Sequence, residues 1–121
     1  MNESTVQKHI RLAAQQDGVL LLRQNSGALK DHNGRLVRFG LANESKAMNQ
    51  QYKSGDLIGI TPIRIGVEHV GMTLGVFTSV ECKTEGWRGI RSDHEQAQER
   101  WNSWVRSYGG YAGFAATTDQ A

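Results

Sequence analysis

Apolar residues first recur at helical spacing, with Val6, Ile10, Ala13 and Ala14 falling on one face, as an amphipathic helix requires. Asn2 or Ser4 can cap its start and Gly18 is placed to end it. The spacing then closes to an unbroken run, Val19-Leu20-Leu21-Leu22, which predicts a short buried strand running into polar Arg23-Gln24-Asn25-Ser26-Gly27. Asn33-Gly34 stands between Ala28-Leu29-Lys30 and Arg35-Leu36-Val37-Arg38-Phe39. Both turn residues tolerate positive φ, so a hairpin is expected.

Residues 42–54 are polar and unpatterned, whereas Leu57-Ile58-Gly59-Ile60 is a short apolar run of the kind a buried strand uses. A further strand is expected over residues 75–83, where β-branched and aromatic residues precede Glu81-Cys82-Lys83. Thr84 to Ser92 has no periodicity and reads as a surface loop. From Asp93 a second helix is expected, with Ala97, Trp101, Trp104, Val105 and Tyr108 as its apolar stripe and Gly109-Gly110 as its stop. Tyr111 to Ala115 reads as a last strand and residues 117–121 as a frayed tail. The order helix, strands, helix, strand predicts one α/β domain over residues 1–116, with a central sheet flanked by helices.

Length agrees, since 121 residues with 38% apolar content can bury one core and not two ordinary ones. The single cysteine, Cys82, allows no intrachain disulfide and no cysteine zinc site, which fits a reducing compartment. The start, Met1-Asn2-Glu3-Ser4, has no basic leader, and no run approaches the roughly 18 apolar residues a membrane span needs. The expectation is a soluble, cytoplasmic chain. A formal charge of +2 is a weak pointer to a polyanion, although residues 1–40 hold six basic side chains against three acidic ones. The four histidines show no metal-ligand spacing.

The chemistry sits at strand ends. Asp56 opens one strand and Glu81 closes another, so the two carboxylates converge if those strands are neighbours. Side chains at i and i+2 share a strand face, which puts Lys83 beside Glu81 and turns the Cys82 side chain away. Two carboxylates and the Cys82 carbonyl suit magnesium, a hard cation that keeps several waters. A magnesium ion so held can activate water and stabilise charge during phosphodiester hydrolysis. Lys83 would add a cation beside the water and phosphate, a contribution whose loss typically costs about 3 kcal/mol. Taken singly, Asp56 is an ordinary strand-end residue, Glu81 and Lys83 a solvated strand terminus, and Gln98 a structural hydrogen-bonder.

The ordered set resembles a known family. Gly55-Asp56-Leu57-Ile58, Glu81-Cys82-Lys83, then Gln98 followed by Trp101, Val105 and Gly109-Gly110 resemble the VRR-NUC (virus-type replication-repair nuclease) branch of the PD-(D/E)xK nucleases. Glu3 and Gln7, with Arg23, Asn25 and Gly27, extend the likeness over roughly Glu3 to Ala115. Gly55 replaces the proline usual before the aspartate. The resemblance implies a restriction-endonuclease-like fold (an α-β-β-β-α-β core with a central mixed sheet), dependence on Mg2+ or Mn2+, and cleavage of DNA. Asp56 and Glu81 become metal ligands, Lys83 the catalytic lysine, Gln98 the helix-borne accessory and Glu3 the acidic residue of the first helix. A Glu in a first helical turn is also favoured by the helix dipole alone. Arg23, Asn25 and Ser26, and Arg88 and Arg91 of the 84–92 loop, are expected at DNA phosphates. Small stand-alone members resemble phage enzymes that act on branched DNA such as Holliday junctions as homodimers, in a bacterial or phage-infected cytoplasm. A junction's near-twofold symmetry makes a C2 homodimer the economical resolvase. The alternatives are a non-catalytic DNA-binding module on the nuclease fold, a nuclease for flaps or single strands, and one directed at RNA.

Overall fold

The first helix forms where the periodicity places it. In the computed structural model, which describes residues 2–120, α1 spans Glu3–Gln16. Asn2 is the cap that is used, its side chain accepting from the Thr5 N–H at 2.9 Å. Gly18, at φ 75°, turns the chain out of the helix. The apolar run that follows gives β1, Leu20–Arg23.

β2 (Gly27–Lys30) and β3 (Leu36–Phe39) pair antiparallel as the expected hairpin, with Leu29 opposite Val37. Asp31 organises its turn by accepting from the Asn33 and Arg35 N–H groups, both at 2.9 Å. Buried Asn43 then ties the hairpin down, donating to the carbonyls of Gly27 (2.8 Å) and Phe39 (2.9 Å). A short helix, α2 (Lys46–Gln51), is capped by Ser45 within the stretch read as unpatterned. Six residues are too few to display an apolar stripe. β4 (Leu57–Ile60) pairs with β1.

Thr61–Phe77 holds no strand, only a 3-10 turn at Val67–His69 in which His69 Nδ1 accepts from the Gly66 N–H at 2.9 Å. Pro62, Gly66, Gly71 and Gly75 interrupt it. The strand expected from residue 75 begins later, as β5 (Thr78–Cys82), where pairing with Tyr111 starts. Ser92 caps α3 (Asp93–Ser107), and β6 (Tyr111–Ala115) returns parallel to β5 with Glu81 opposite Phe114. A strand, a crossing helix and a parallel strand form one βαβ element.

The chain forms two compact units, Met1–Gly59 and Ile60–Ala121, and the domain expected over residues 1–116 spans both. The class is mixed α/β. In place of the single central sheet expected, the strands among the described residues pair as three two-stranded sheets, β1 with β4, β2 with β3 and β5 with β6. Strands of four or five residues, separated by the breaker-rich 61–77 segment, leave little backbone to extend a ladder. In the stretch read as a frayed tail, Thr118–Gln120 make a 3-10 turn, and Gln120 Oε1 accepts from the Ala116 N–H at 2.7 Å. Ala121, its last residue, lies outside the described residues. No described helix is long and apolar enough to cross a membrane.

Candidate active site

β5 presents polar residues to one side and Val80 and Cys82 to the other. Ser79, Glu81 and, one residue past the strand, Lys83 are half-buried, as period-two alternation demands. Lys83 keeps the strand's direction because its N–H bonds the Ala115 carbonyl at 2.8 Å. Facing this row, α3 offers Glu95, Gln98 and Trp101, each three residues apart and so on one helical face.

The two rows mesh in opposite senses. The Trp101 indole N–H donates to Ser79 Oγ (2.9 Å). Gln98 Nε2 donates to Glu81 Oε1 (2.7 Å), while Gln98 Oε1 accepts from Lys83 Nζ (2.7 Å). Lys83 Nζ also lies 3.5 Å from Glu95 Oε2 and 5.4 and 5.9 Å from the ring centres of Phe114 and Trp87. The rings pack on each other at 4.8 Å and wall in the lysine stem. With its side chain only 14% exposed, the Lys83 ammonium is held, and its charge is met. Gln98 is thus a bridge between acid and base: its amide has one orientation that serves both. His94 Nε2, 3.3 Å from Gln98 Nε2, can accept only as the neutral imidazole protonated at Nδ1.

Glu95 was not among the residues singled out by sequence. Its Oε2 accepts from the Trp87 indole at 2.6 Å, and its Oε1 accepts from the Arg91 N–H at 3.0 Å. The indole bond first, then the Arg91 amide, with help from Lys83, hold its carboxyl down at about 2. Two signals could have found it: Ser92-Asp93-His94-Glu95 has capping-box spacing, and Glu95 precedes Gln98 by three residues. The first of these reads as an ordinary helix start, which hides the second.

No family model, curated protein or solved structure matches the chain.

The remaining expected residues are placed by other means. Asp56 stands in the first unit, exposed, just before β4. Gln24 fixes its backbone: the Gln24 N–H bonds the Asp56 carbonyl (2.8 Å), and the side chain donates to Ser54 Oγ (2.8 Å) and the Gly55 carbonyl (3.0 Å). Ser26 Oγ joins Ser54 Oγ at 3.1 Å, so it is engaged in closing this loop. Arg23 lines a small cleft of about 70 Å³ with Ser4, Gln7, Lys8 and Arg11, while Asn25 is exposed. Glu3 is exposed in the first turn of α1. In the second unit, Arg88 and Arg91 border a groove of about 350 Å³ together with Trp87 and Glu95. A wider apolar groove of about 660 Å³, along Ile90, Arg100 and Trp104, contains none of the expected site residues.

Among the described residues no three Asp, Glu, His or Cys side chains assemble a metal cage. Magnesium does not ask for one, being held commonly by one or two carboxylates, waters and substrate phosphate. The Glu81 carboxylate and the Cys82 carbonyl are oxygen donors of the required hardness, and the donor set fits that ion better than a thiophilic one.

Proposed function

We propose that the chain is a magnesium- or manganese-dependent DNA endonuclease, with a restriction-endonuclease-like fold of the VRR-NUC type. The observation that supports it best is the hydrogen-bonded series Lys83–Gln98–Glu81, because the three chemical residues of the sequence pattern that lie in the second unit meet there. A solvated strand end would leave Glu81 and Lys83 free of α3.

Each side chain has a task in this reading. Glu81 and the Cys82 carbonyl would hold the metal, which supplies an activated water and charge stabilisation when bound, and Asp56 is a further ligand on the family resemblance alone. Lys83 directs its ammonium to the attacking water and the scissile phosphate, and the charge-assisted hydrogen bond strengthens as the phosphoryl oxygens gain charge. Gln98 fixes the separation of Glu81 from Lys83, so neither reorganises during attack. Branched DNA as substrate and a C2 homodimer as the working form rest on the family resemblance and junction symmetry. A second reading, a DNA-binding module without turnover, draws on the fact that Glu95 and Gln98 already satisfy the Lys83 cation.

Purified protein is incubated with synthetic junction, flap, duplex and single-stranded DNA, with magnesium, manganese or EDTA. Cleavage that needs metal is expected, with junctions cut in preference to the others. Lys83→Ala should slow it about a hundredfold or more, and Asp56→Ala should abolish it while DNA binding persists. Binding without cutting in either metal selects the module, and equal cutting of all four substrates removes the junction preference.

A further inference from the structure

A glutamate at the third position of a helix ordinarily folds back on the cap, accepting from the cap's own N–H. Glu95 reaches past it. One oxygen takes the N–H of Arg91, the residue before the Ser92 cap, and the other takes the Trp87 indole and faces Lys83. The middle of the 84–92 loop, at Trp87, and its C-terminal end, at Arg91, are thereby attached to a single carboxylate whose side chain is 15% exposed. Within the loop, the Trp87 N–H bonds the Thr84 carbonyl at 3.1 Å, while Gly86 and Gly89 adopt φ of 88° and 110°. Such a segment is tied mainly at Trp87 and Arg91.

We propose that Glu95 is a positioning residue, locking the loop against α3 so that the ammonium of Lys83 and the guanidinium groups of Arg88 and Arg91 are held ready for nucleic-acid phosphates. The substrate in this statement rests on the nuclease reading. A carboxylate bordering a groove meant for phosphate is unfavourable unless its charge is met internally, and Lys83, the indole and the Arg91 amide meet it. Its carboxyl, held near 2, stays ionised throughout the range in which DNA is handled.

Glu95→Gln keeps the size and removes the charge. Amide and indole signals of the full chain are followed by NMR, and single-turnover cleavage is measured at saturating DNA with magnesium. The variant should lose exchange protection at the Arg91 amide and move the Trp87 indole resonance, and its saturating rate should fall about tenfold to a hundredfold. Glu99→Gln, which removes a carboxylate facing Arg106 on the same helix, should leave all three readouts unchanged. Trp87→Phe, which retains a ring against Phe114, should reproduce the Arg91 exchange and the rate loss if Glu95→Gln does not fold. Unaltered Arg91 and Trp87 signals overturn the proposal, as does a normal saturating rate with the loop released. A wild type that cuts nothing defeats the nuclease reading, and the brace is then upheld or rejected by the two NMR signals alone.

Discussion

Asn43 in the first unit and Asn102 in the second are both withdrawn from solvent, 2% and 0% exposed, yet they meet burial in opposite ways. Asn43 donates to two carbonyls and accepts from Arg38 Nη1 at 3.3 Å. Asn102 Oδ1 has no partner among the described residues, and its Nδ2 makes one long contact, 3.4 Å, to Glu99. The first unit is short of buried apolar side chains: its hairpin strands are mostly exposed, and polar and backbone contacts give it shape. The second packs α3 on β5 and β6, with Val105 fully buried and Ala115 nearly so, and can carry an unmet amide oxygen. Order by hydrogen bonding is intolerant of losing a partner, whereas order by packing is intolerant of losing volume.

The largest effect should come from Gly59, where β1 and β4 pass too closely for any side chain. A Cβ there would collide with the Leu20 carbonyl oxygen. Gly59→Ala should cost about 3 kcal/mol, the upper end for overpacking, seen as a lowered midpoint in urea. An unchanged midpoint would show that this backbone contact does not organise the first unit. Asn43→Ala comes next. It orphans the Gly27 and Phe39 carbonyls where they face it, and about 2 kcal/mol should be lost. Amide exchange should quicken first in the hairpin, and uniform loosening of the whole chain would remove the distinction between the units.

Glu95 tests the second unit through pH. Its carboxyl lies below the ordinary 4.5, at about 2, because the Trp87 indole, the Arg91 amide and Lys83 favour the ionised form. A depressed folded value means that the stabilisation is full above pH 4.5 and disappears as pH falls towards 2. Urea titrations across that window should show a steeper acid loss in wild type than in Glu95→Gln. Parallel curves would mean that the indole bond is not formed.

These contrasts explain what could be read from the chain. The hairpin was legible because Asn33-Gly34 names its own turn, and α3 because the Trp101–Val105 stripe and Gly109-Gly110 mark its face and stop. Pairing of Glu81 with Lys83 followed from period two, and their meeting with Gln98 confirms only that α3 covers β5. α2 was illegible since six residues display no period, and the late start of β5 depended on tertiary pairing with β6 that residue type does not encode. Glu95 escaped because its role depends on the path of an aperiodic loop. Glu3, Arg23 and Asn25 were drawn from the resemblance, and among the described residues their side chains are exposed.

The smallest effect is the most discriminating. Asn102 and leucine have the same number of side-chain heavy atoms, so Asn102→Leu nearly conserves shape while removing an amide oxygen that gains nothing from burial. Glu99 would lose only the long Nδ2 contact and keep Arg106 and Ser103. Because an unsatisfied buried polar atom carries a desolvation cost, the variant should be neutral or more stable by up to about 1 kcal/mol. The same change at position 43 should be strongly unfavourable. If Asn102→Leu instead loses as much as Asn43→Leu in urea, the Asn102 amide has a partner that matters, and both units are then held by buried hydrogen bonds.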